Sequence, residues 1–525
     1  MKLNYKRTIL VGFAFFLICA FWQAYDNTIP LILTNKFGMS QTWSGVIMAL
    51  DNVLALFMLP LFGHLSDKCT HPRGRRTPFI VVGTLIAAVA LIALSFVDNA
   101  QLKHLDKVSA IDDPAALEEI YQSQKEATLL TPGGEEFILG QRFTKEEFTA
   151  IRSQISTRSE SEGDKTVTNP DYTNYVVPAR QACAHAITRT QPGTVVLFVV
   201  LLLIILVSMA TFRSPAVALM PDVTLKPLRS KANAVINLMG SAGGILVLAL
   251  GMAFATASVH NALMSYTAYF AVIAAIMLAA LVIFILTVRE VEWAQQMQRD
   301  SVEYGVEDTA EDGASPQEER KLTRGEVKSL IFILLSIVLW FFGYNAVTSK
   351  YSVYASNILH KDYNLTLIIA QAAAIIAYLP VGFIAGKIGR KKTILAGVVM
   401  LTVAFGVAGF LTADSPTMLM NAMFALAGIA WATINVNSFP MVVELASGGD
   451  VGKYTGFYYT ASMAAQVATP MLSGLLMDKW GMRVLFPYAT VFVALAFATM
   501  LMVHHGDSKP QMKLGLEALQ DSEMD

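Results

Sequence analysis

The chain reads nearly the same apolar passage twice, and this duplication constrains the fold more than any single motif. Tyr25-Asp26-Asn27 lies inside one apolar segment, and Tyr344-Asn345-Ala346 lies inside another 319 residues further on. Pro60 and Pro380, near the ends of the segments that follow, are 320 residues apart. A basic turn comes after each, Gly74-Arg75-Arg76-Thr77 and then Gly389-Arg390-Lys391-Lys392-Thr393. Later, Asp222 and Lys231 correspond to Glu444 and Lys453, and here the offset is 222 residues in both cases. The offset falls because the first half carries a polar insertion, residues 98–193, that the second half lacks. A parallel duplication of hydrophobic, polytopic halves implies two bundles that rock about a central site.

Only 15% of the 525 residues are charged and 54% are hydrophobic. That is too apolar for a soluble protein, where roughly a quarter of residues are charged. Nucleic acid is excluded as a partner, because the basic residues sit in short loops and form no continuous face. Cys19, Cys69 and Cys183 are too scattered for a disulfide framework or a metal site. No Gly-x-x-x-x-Gly-Lys-Ser/Thr loop is present, which argues against an ATP-driven pump. No cluster suggests a membrane-embedded enzyme. The first apolar segment has no small-residue cleavage site after it and is read as a retained span.

About 20 apolar helical residues cross a bilayer. Such windows lie near 8–34, 42–65, 77–97, 194–219, 233–258 and 266–288 in the first half. Six more lie near 328–349, 365–386, 393–412, 416–440, 455–477 and 483–503. Those at 328–349 and 455–477 are rich in Ser, Thr, Tyr and Gln, as expected of spans that face water. The fold class is therefore an all-α membrane protein of twelve transmembrane helices in two pseudo-symmetric six-helix halves. Its expected divisions are 1–288, a linker at 289–327, 328–503 and a tail at 504–525.

Basic residues concentrate in the loops joining even to odd spans (Lys68, Arg73, Arg75 and Arg76; Lys226, Arg229 and Lys231; Lys387, Arg390, Lys391 and Lys392). The positive-inside rule then predicts that both termini, the linker and the tail are cytoplasmic, in the cell membrane. The linker reads as a solvated tether. The insertion falls outside, and its stretch 145–152 has helical spacing. It is read as a tolerated surface module, with a lid over the entrance as the alternative.

The first basic turn reads Gly63-His-Leu-Ser-Asp67-Lys68-Cys-Thr-His-Pro-Arg73-Gly74-Arg75-Arg76-Thr77-Pro78-Phe79. It resembles the Gly-x-x-x-Asp-Arg/Lys-x-Gly-Arg-Arg signature of the major facilitator superfamily. More narrowly, it is similar to the longer version of sucrose–proton symporters, with glycoside–pentoside–hexuronide:cation symporters as neighbours. Ala218-Leu-Met-Pro-Asp222 and Ala232-Asn233-Ala234 resemble a second string of the same family. The resemblance implies the major facilitator fold and secondary active transport. It also implies that Asp67, Arg75, Arg76 and Asp222, with Arg390 and Glu444 in the repeat, act as gating charges. The chain departs from the sucrose symporters in span four, where Leu201 to Met209 holds no acidic residue and Arg213 stands a turn before the family's arginine.

An ionisable group inside a span costs a few kcal/mol or more, so each calls for a cavity or a partner. Asp26 and Asp51 sit on antiparallel spans at similar depth, roughly 13 Å from the outer surface. Two carboxylates brought close bind a proton between them more readily than either alone, so both are proton-coupling candidates. The alternative is hydrogen bonding that only fixes helix packing. Arg213 either meets substrate or snorkels to the inner interface. A sugar presents apolar C–H faces and a rim of hydroxyls, which calls for aromatic rings and amides. Trp22, Gln23, Tyr25, Trp340, Tyr344, Asn345, Asn435, Asn437, Tyr459 and Gln466 supply them.

The expected function is proton-coupled symport of a disaccharide or glycoside by alternating access, with Na⁺ as the alternative coupling ion. No cofactor is called for, the expected partners are a sugar and the lipid bilayer, and one chain suffices as a functional monomer. The rivals are a proton-driven exporter of amphipathic compounds and a membrane sensor that binds ligand without moving it.

Overall fold

The computed structural model describes residues 3–159, 163–225, 228–303, 322–443, 445 and 451–505. Twelve long helices run through them. The first six are α1 (Tyr5–Asn35), α2 (Gln41–Asp67), α3 (Thr77–His104), α4 (Gly193–Asp222), α5 (Arg229–Ala253) and α6 (Thr267–Thr287). The second six are α7 (Arg324–Tyr354), α8 (Tyr363–Ile388), α9 (Arg390–Ala408), α10 (Thr417–Val443), α11 (Val451–Trp480) and α12 (Leu485–Leu501). Ten helices among the described residues are long and apolar enough to cross a membrane, and α8 adds the apolar stretch Tyr363–Tyr378. The more polar α11 completes the set. Of the two weakly apolar windows, 455–477 is in α11, outside the ten, whereas 328–349 is in α7, inside them.

Local chemistry sets where these helices begin. Asn4 accepts from the Arg7 amide at 3.1 Å to start α1, and Ser40 does so for Trp43 at 3.3 Å to start α2. Thr323 and Glu326 form a reciprocal capping box at the start of α7. The even number of passes puts Asn4 and Val503 at one end of the bundle (the terminal end) and the insertion at the other. The two halves have separate cores. Phe21, Leu94, Phe198 and Phe270 belong to the first, and Trp340, Leu401, Phe405 and Phe486 to the second. The halves meet through α2 with α11, α5 with α8, and α1 with α7.

The insertion has a third, small core around Leu117, Leu139, Phe148 and Tyr172. Its helix Lys145–Ala150 begins at a Thr144–Glu147 capping box, whose amide and hydroxyl bonds hold the Glu147 carboxyl below its ordinary value. Two antiparallel hairpins accompany it, with Leu129 opposite Phe137 and Ile155 opposite Val167. The module touches both halves. Gln181 donates to Asn35 at 2.9 Å, Pro132 accepts from the Met482 amide at 2.7 Å, and Thr173 meets His360 at 2.8 Å.

Two features depart from the sequence reading. Helix α3 runs past residue 98 to His104, because Asp98 is buried in an ion pair with Lys36 at 2.6 Å, itself bonded to Met264 O at 2.7 Å. A buried pair satisfied in this way fixes one geometry. The linker does not start as a solvated tether, since Glu290–Glu303 is a helix docked on the first half. Trp293 is buried there, with the Arg7 guanidinium 4.8 Å from its ring centroid. Residues 304–321 and the tail 506–525 lie outside the described residues.

Candidate functional site

Between the halves, at mid-height, lies a cavity of about 360 Å³. The first half gives it Gln23, Asp26 and Asn27 from α1 and Ser241 from α5. The second half gives it Tyr344, Thr348 and Tyr351 from α7, Gln371 and Tyr378 from α8, and Trp431 from α10. Of the residues singled out in the sequence, Gln23, Asp26 and Tyr344 meet here. Tyr344 stacks face to face on Trp431, with ring centroids 3.5 Å apart and planes 3° apart, and Phe341 braces Trp431 edge-on at 5.3 Å. This gives a flat aromatic wall whose orientation is fixed from two sides. Gln371 has its Oε1 buried without a hydrogen-bond partner. An amide acceptor left open at a cavity wall is a place for a donor from a ligand or a water. Gly244 makes room for it, since a Cβ there would stand 3.1 Å from Gln371 Nε2 and 3.3 Å from Gln23 Oε1.

The charges gather on the first half's side. Asp26 is half-buried and lies within electrostatic range of Asp51 and of Arg213. Asp51 accepts from Asn52 Nδ2 at 2.8 Å and also lies within range of Arg213. The Arg213 guanidinium is 5.7 Å from the Trp22 ring centroid, so it is turned into the bundle rather than out to the interface. Neither Asp26 nor Arg213 makes an ion pair with a described residue. Both therefore keep hydrogen-bonding capacity for a proton, water or substrate.

The other nominated residues lie away from this cavity. Tyr25 is buried in the first core against Phe21 and Trp22, and its hydroxyl has no partner. Trp340 is fully buried in the second core, because α12 packs directly over that face of α7. Asn345, one residue beyond Tyr344, buries its Nδ2 without a partner, and Asn435 does the same with its Oδ1. Asn437 donates to Thr433 O at 2.9 Å within α10. Tyr459 packs near Tyr458 and Phe439, and Gln466 is half-buried on α11. Two contributors were not found in the sequence. Trp431 and Gln371 stand alone in apolar helices, and only the repeat-breaking polarity of Gln371 set it apart.

The gating charges form a cluster at the terminal end. Arg75 and Asp222 pair at 2.5 Å, Arg76 and Asp222 at 2.8 Å, and Arg76 and Asp67 at 2.5 Å. The hydrogen bond from Asp222 raises the Arg75 guanidinium above its ordinary value, against a smaller cost of desolvation. Glu290, absent from the sequence reading, caps α3 by accepting from the Arg76 amide at 2.8 Å, the Thr77 amide at 2.8 Å and the Thr77 hydroxyl at 2.7 Å. All these groups belong to the first half and its linker, so in this structure they tie one half together. Glu444 lies outside the described residues, and so does its expected pairing with Arg390.

Two six-helix halves around a shared central cavity define an integral membrane transporter. The sequence profile of the Major Facilitator Superfamily matches residues 6–105, 182–372 and 360–518, and the chain belongs to that family. Among curated relatives, 59 residues are 37% identical to the sucrose transport protein SUC4 of Arabidopsis thaliana, covering 11% of this chain and 12% of that one. A second stretch of 67 residues is 39% identical to SUC3 of the same plant, covering 13% and 11%. The chain thus matches only about an eighth of the length of these relatives. Among solved structures, the inward open xylose transporter XylE of E. coli aligns with a TM-score of 0.55 and 14% identity, over 98% of this chain and 100% of that one. The nucleoside transporter NupG gives a TM-score of 0.55 and 13% identity over 95% and 100%. At such identities the likeness is one of fold.

Proposed function

We propose that this transporter is a proton-coupled symporter of a disaccharide or glycoside. One observation carries the reading: a single cavity is faced by a carboxylate without an ion-pair partner, Asp26, from one half and by the stacked Tyr344–Trp431 wall from the other. A ring face and open amide acceptors suit the C–H faces and hydroxyls of a sugar. The short stretches shared with plant sucrose transport proteins support the same substrate class. Asp26, with Asp51 near it, takes the coupled proton. Arg213, within range of both, lets the charge balance of the site change when the proton arrives or leaves.

In this reading the protein sits in the cell membrane with both termini cytoplasmic, works as a monomer, and opens its terminal end inward. Asp67, Arg75, Arg76 and Asp222 regroup when that end closes, and Arg390 with Glu444 does the same in the repeat. The test is the pH of the medium around de-energised cells expressing the protein. Adding the transported glycoside turns the medium alkaline, and Asp26→Asn abolishes the change. If a sugar is taken up with no pH change in wild type, the proton leaves the proposal and Na⁺ becomes the coupling ion to test. If no sugar is taken up, the substrate class fails and export of amphipathic compounds becomes the working reading.

A further inference from the structure

The insertion end is closed by a grip of unusual chemistry. Two charged residues of the second half hold the first turn of α2 in the first half by opposite poles. Asp478, near the end of α11, accepts from the Gln41 amide at 2.7 Å, the Thr42 amide at 2.8 Å and the Thr42 hydroxyl at 2.5 Å. A carboxylate on the first free amides of a helix has both the hydrogen bonds and the helix dipole in its favour. Lys350, on α7 and fully buried, donates its ammonium to the Gln41 carbonyl at 2.7 Å. Close backbone approach makes this reach possible. A Cβ on Gly474 of α11 would stand 2.3 Å from Gln41 O, and one on Gly45 of α2 would stand 2.0 Å from Pro470 O.

Both gripping residues ride on the same half. Helices α7 and α11 pack against each other, and Lys350 lies within electrostatic range of Asp478 but makes no ion pair with any described residue. When the halves part at this end, α2 withdraws from both charges together. A buried ammonium and a carboxylate each left without a partner would cost several kcal/mol. We propose that Lys350 and Asp478 form an exchange latch: they hold Gln41 and Thr42 of α2 while the insertion end is closed, and pair with each other once it opens. Because each charge has a partner in both states, neither state is prohibitively costly, as a two-state carrier requires. The latch belongs to the transport cycle itself and holds for any substrate or coupling ion.

Ser44 reports on the seam. It is fully buried and lies on the same face of α2 as Gln41 and Gly45. In a full-length chain with Cys19→Ala, Cys69→Ala and Cys183→Ala, the alkylation rate of a Ser44→Cys probe follows the population in which the seam is open. The double variant Lys350→Asp/Asp478→Lys keeps the mutual pair for the open state. It also sets an ammonium against the α2 amides and a carboxylate against the Gln41 carbonyl. The alkylation rate should rise about tenfold or more, and by more than with either reversal alone, which leaves like charges facing each other when the seam opens. An unchanged rate overturns the latch, and equal rises for the single and double variants overturn the exchange of partners. If the double variant does not fold, Thr42→Ala decides. It removes one hydrogen bond, keeps both charges, and should raise the rate about threefold. No rise there would refute the grip on α2.

Discussion

The two halves share a plan but not a chemistry. At corresponding places in the repeat, the first half has Asp26 and the second has Asn345. Around the cavity, the first half sets Asp26 within range of Asp51 and Arg213, and the second sets Tyr344 on Trp431 with Gln371 nearby. One half therefore offers charge and the other offers aromatic faces and an amide. Duplication fixes where helices run and where a cavity can form. It does not require both copies to do the same work, and here the differences fall on the cavity wall. The division suits coupled transport, because the ion and the substrate meet different halves and must still share one cavity.

The sharpest way to break that comparison is Asp26→Asn. If charge on the first half serves only coupling, uphill uptake is abolished, while exchange of labelled for unlabelled substrate across vesicles continues near the wild-type rate. Loss of exchange as well would mean that Asp26 also holds the substrate, and the division between halves would collapse. On the other side, Trp431→Ala removes the aromatic wall and leaves Tyr344 without its stacking partner. A buried aromatic anchor is worth about 2 kcal/mol or more, so KM should rise roughly thirtyfold. The pH dependence of uptake should stay as in wild type, since no charge has changed.

Gln371→Leu is expected to do less. It keeps the side chain's bulk and removes one open acceptor, and a single neutral hydrogen bond is worth about 0.5–1.5 kcal/mol. Substrate affinity in an equilibrium exchange assay should fall roughly two- to tenfold. An unchanged affinity would place the substrate away from α8 and sharpen the comparison by confining the second half's contribution to its rings.

Much of this architecture was legible in the sequence because its determinants are local. The apolar windows, the basic turns and the offsets of the repeat each follow from neighbouring residues. The pairing of Arg75 and Arg76 with Asp222 was legible too, because the repeat placed those groups at one end of the bundle. Contacts that depend on which face of a helix looks inward were not. Trp431 looks like any aromatic in an apolar span until Tyr344 is found stacked on it. Lys350 looks like an ordinary polar residue near a span end, yet its ammonium reaches Gln41 on the far side of the seam. Glu290 seemed to open a solvated linker, and its role as a cap on α3 appears only when the chain returns to the first basic turn.

Trp340 gives the smallest effect and the cleanest control. Composition alone made it as good a ring for a sugar as Tyr344, four residues on. The helix settles the difference: Tyr344 lines the cavity, whereas Trp340 is fully buried in the core between α7 and α12. Its indole Nε1 has no partner, so replacement by Phe forfeits no hydrogen bond and changes only packing. Trp340→Phe should lower thermal stability in detergent by about 1–2 kcal/mol while leaving KM and the pH profile of uptake unchanged. A raised KM at unchanged stability would put the substrate against the second core instead of the Trp431 wall. An aromatic contribution from the second half would survive that result, but it would come from α7 and α12 rather than α7 and α10.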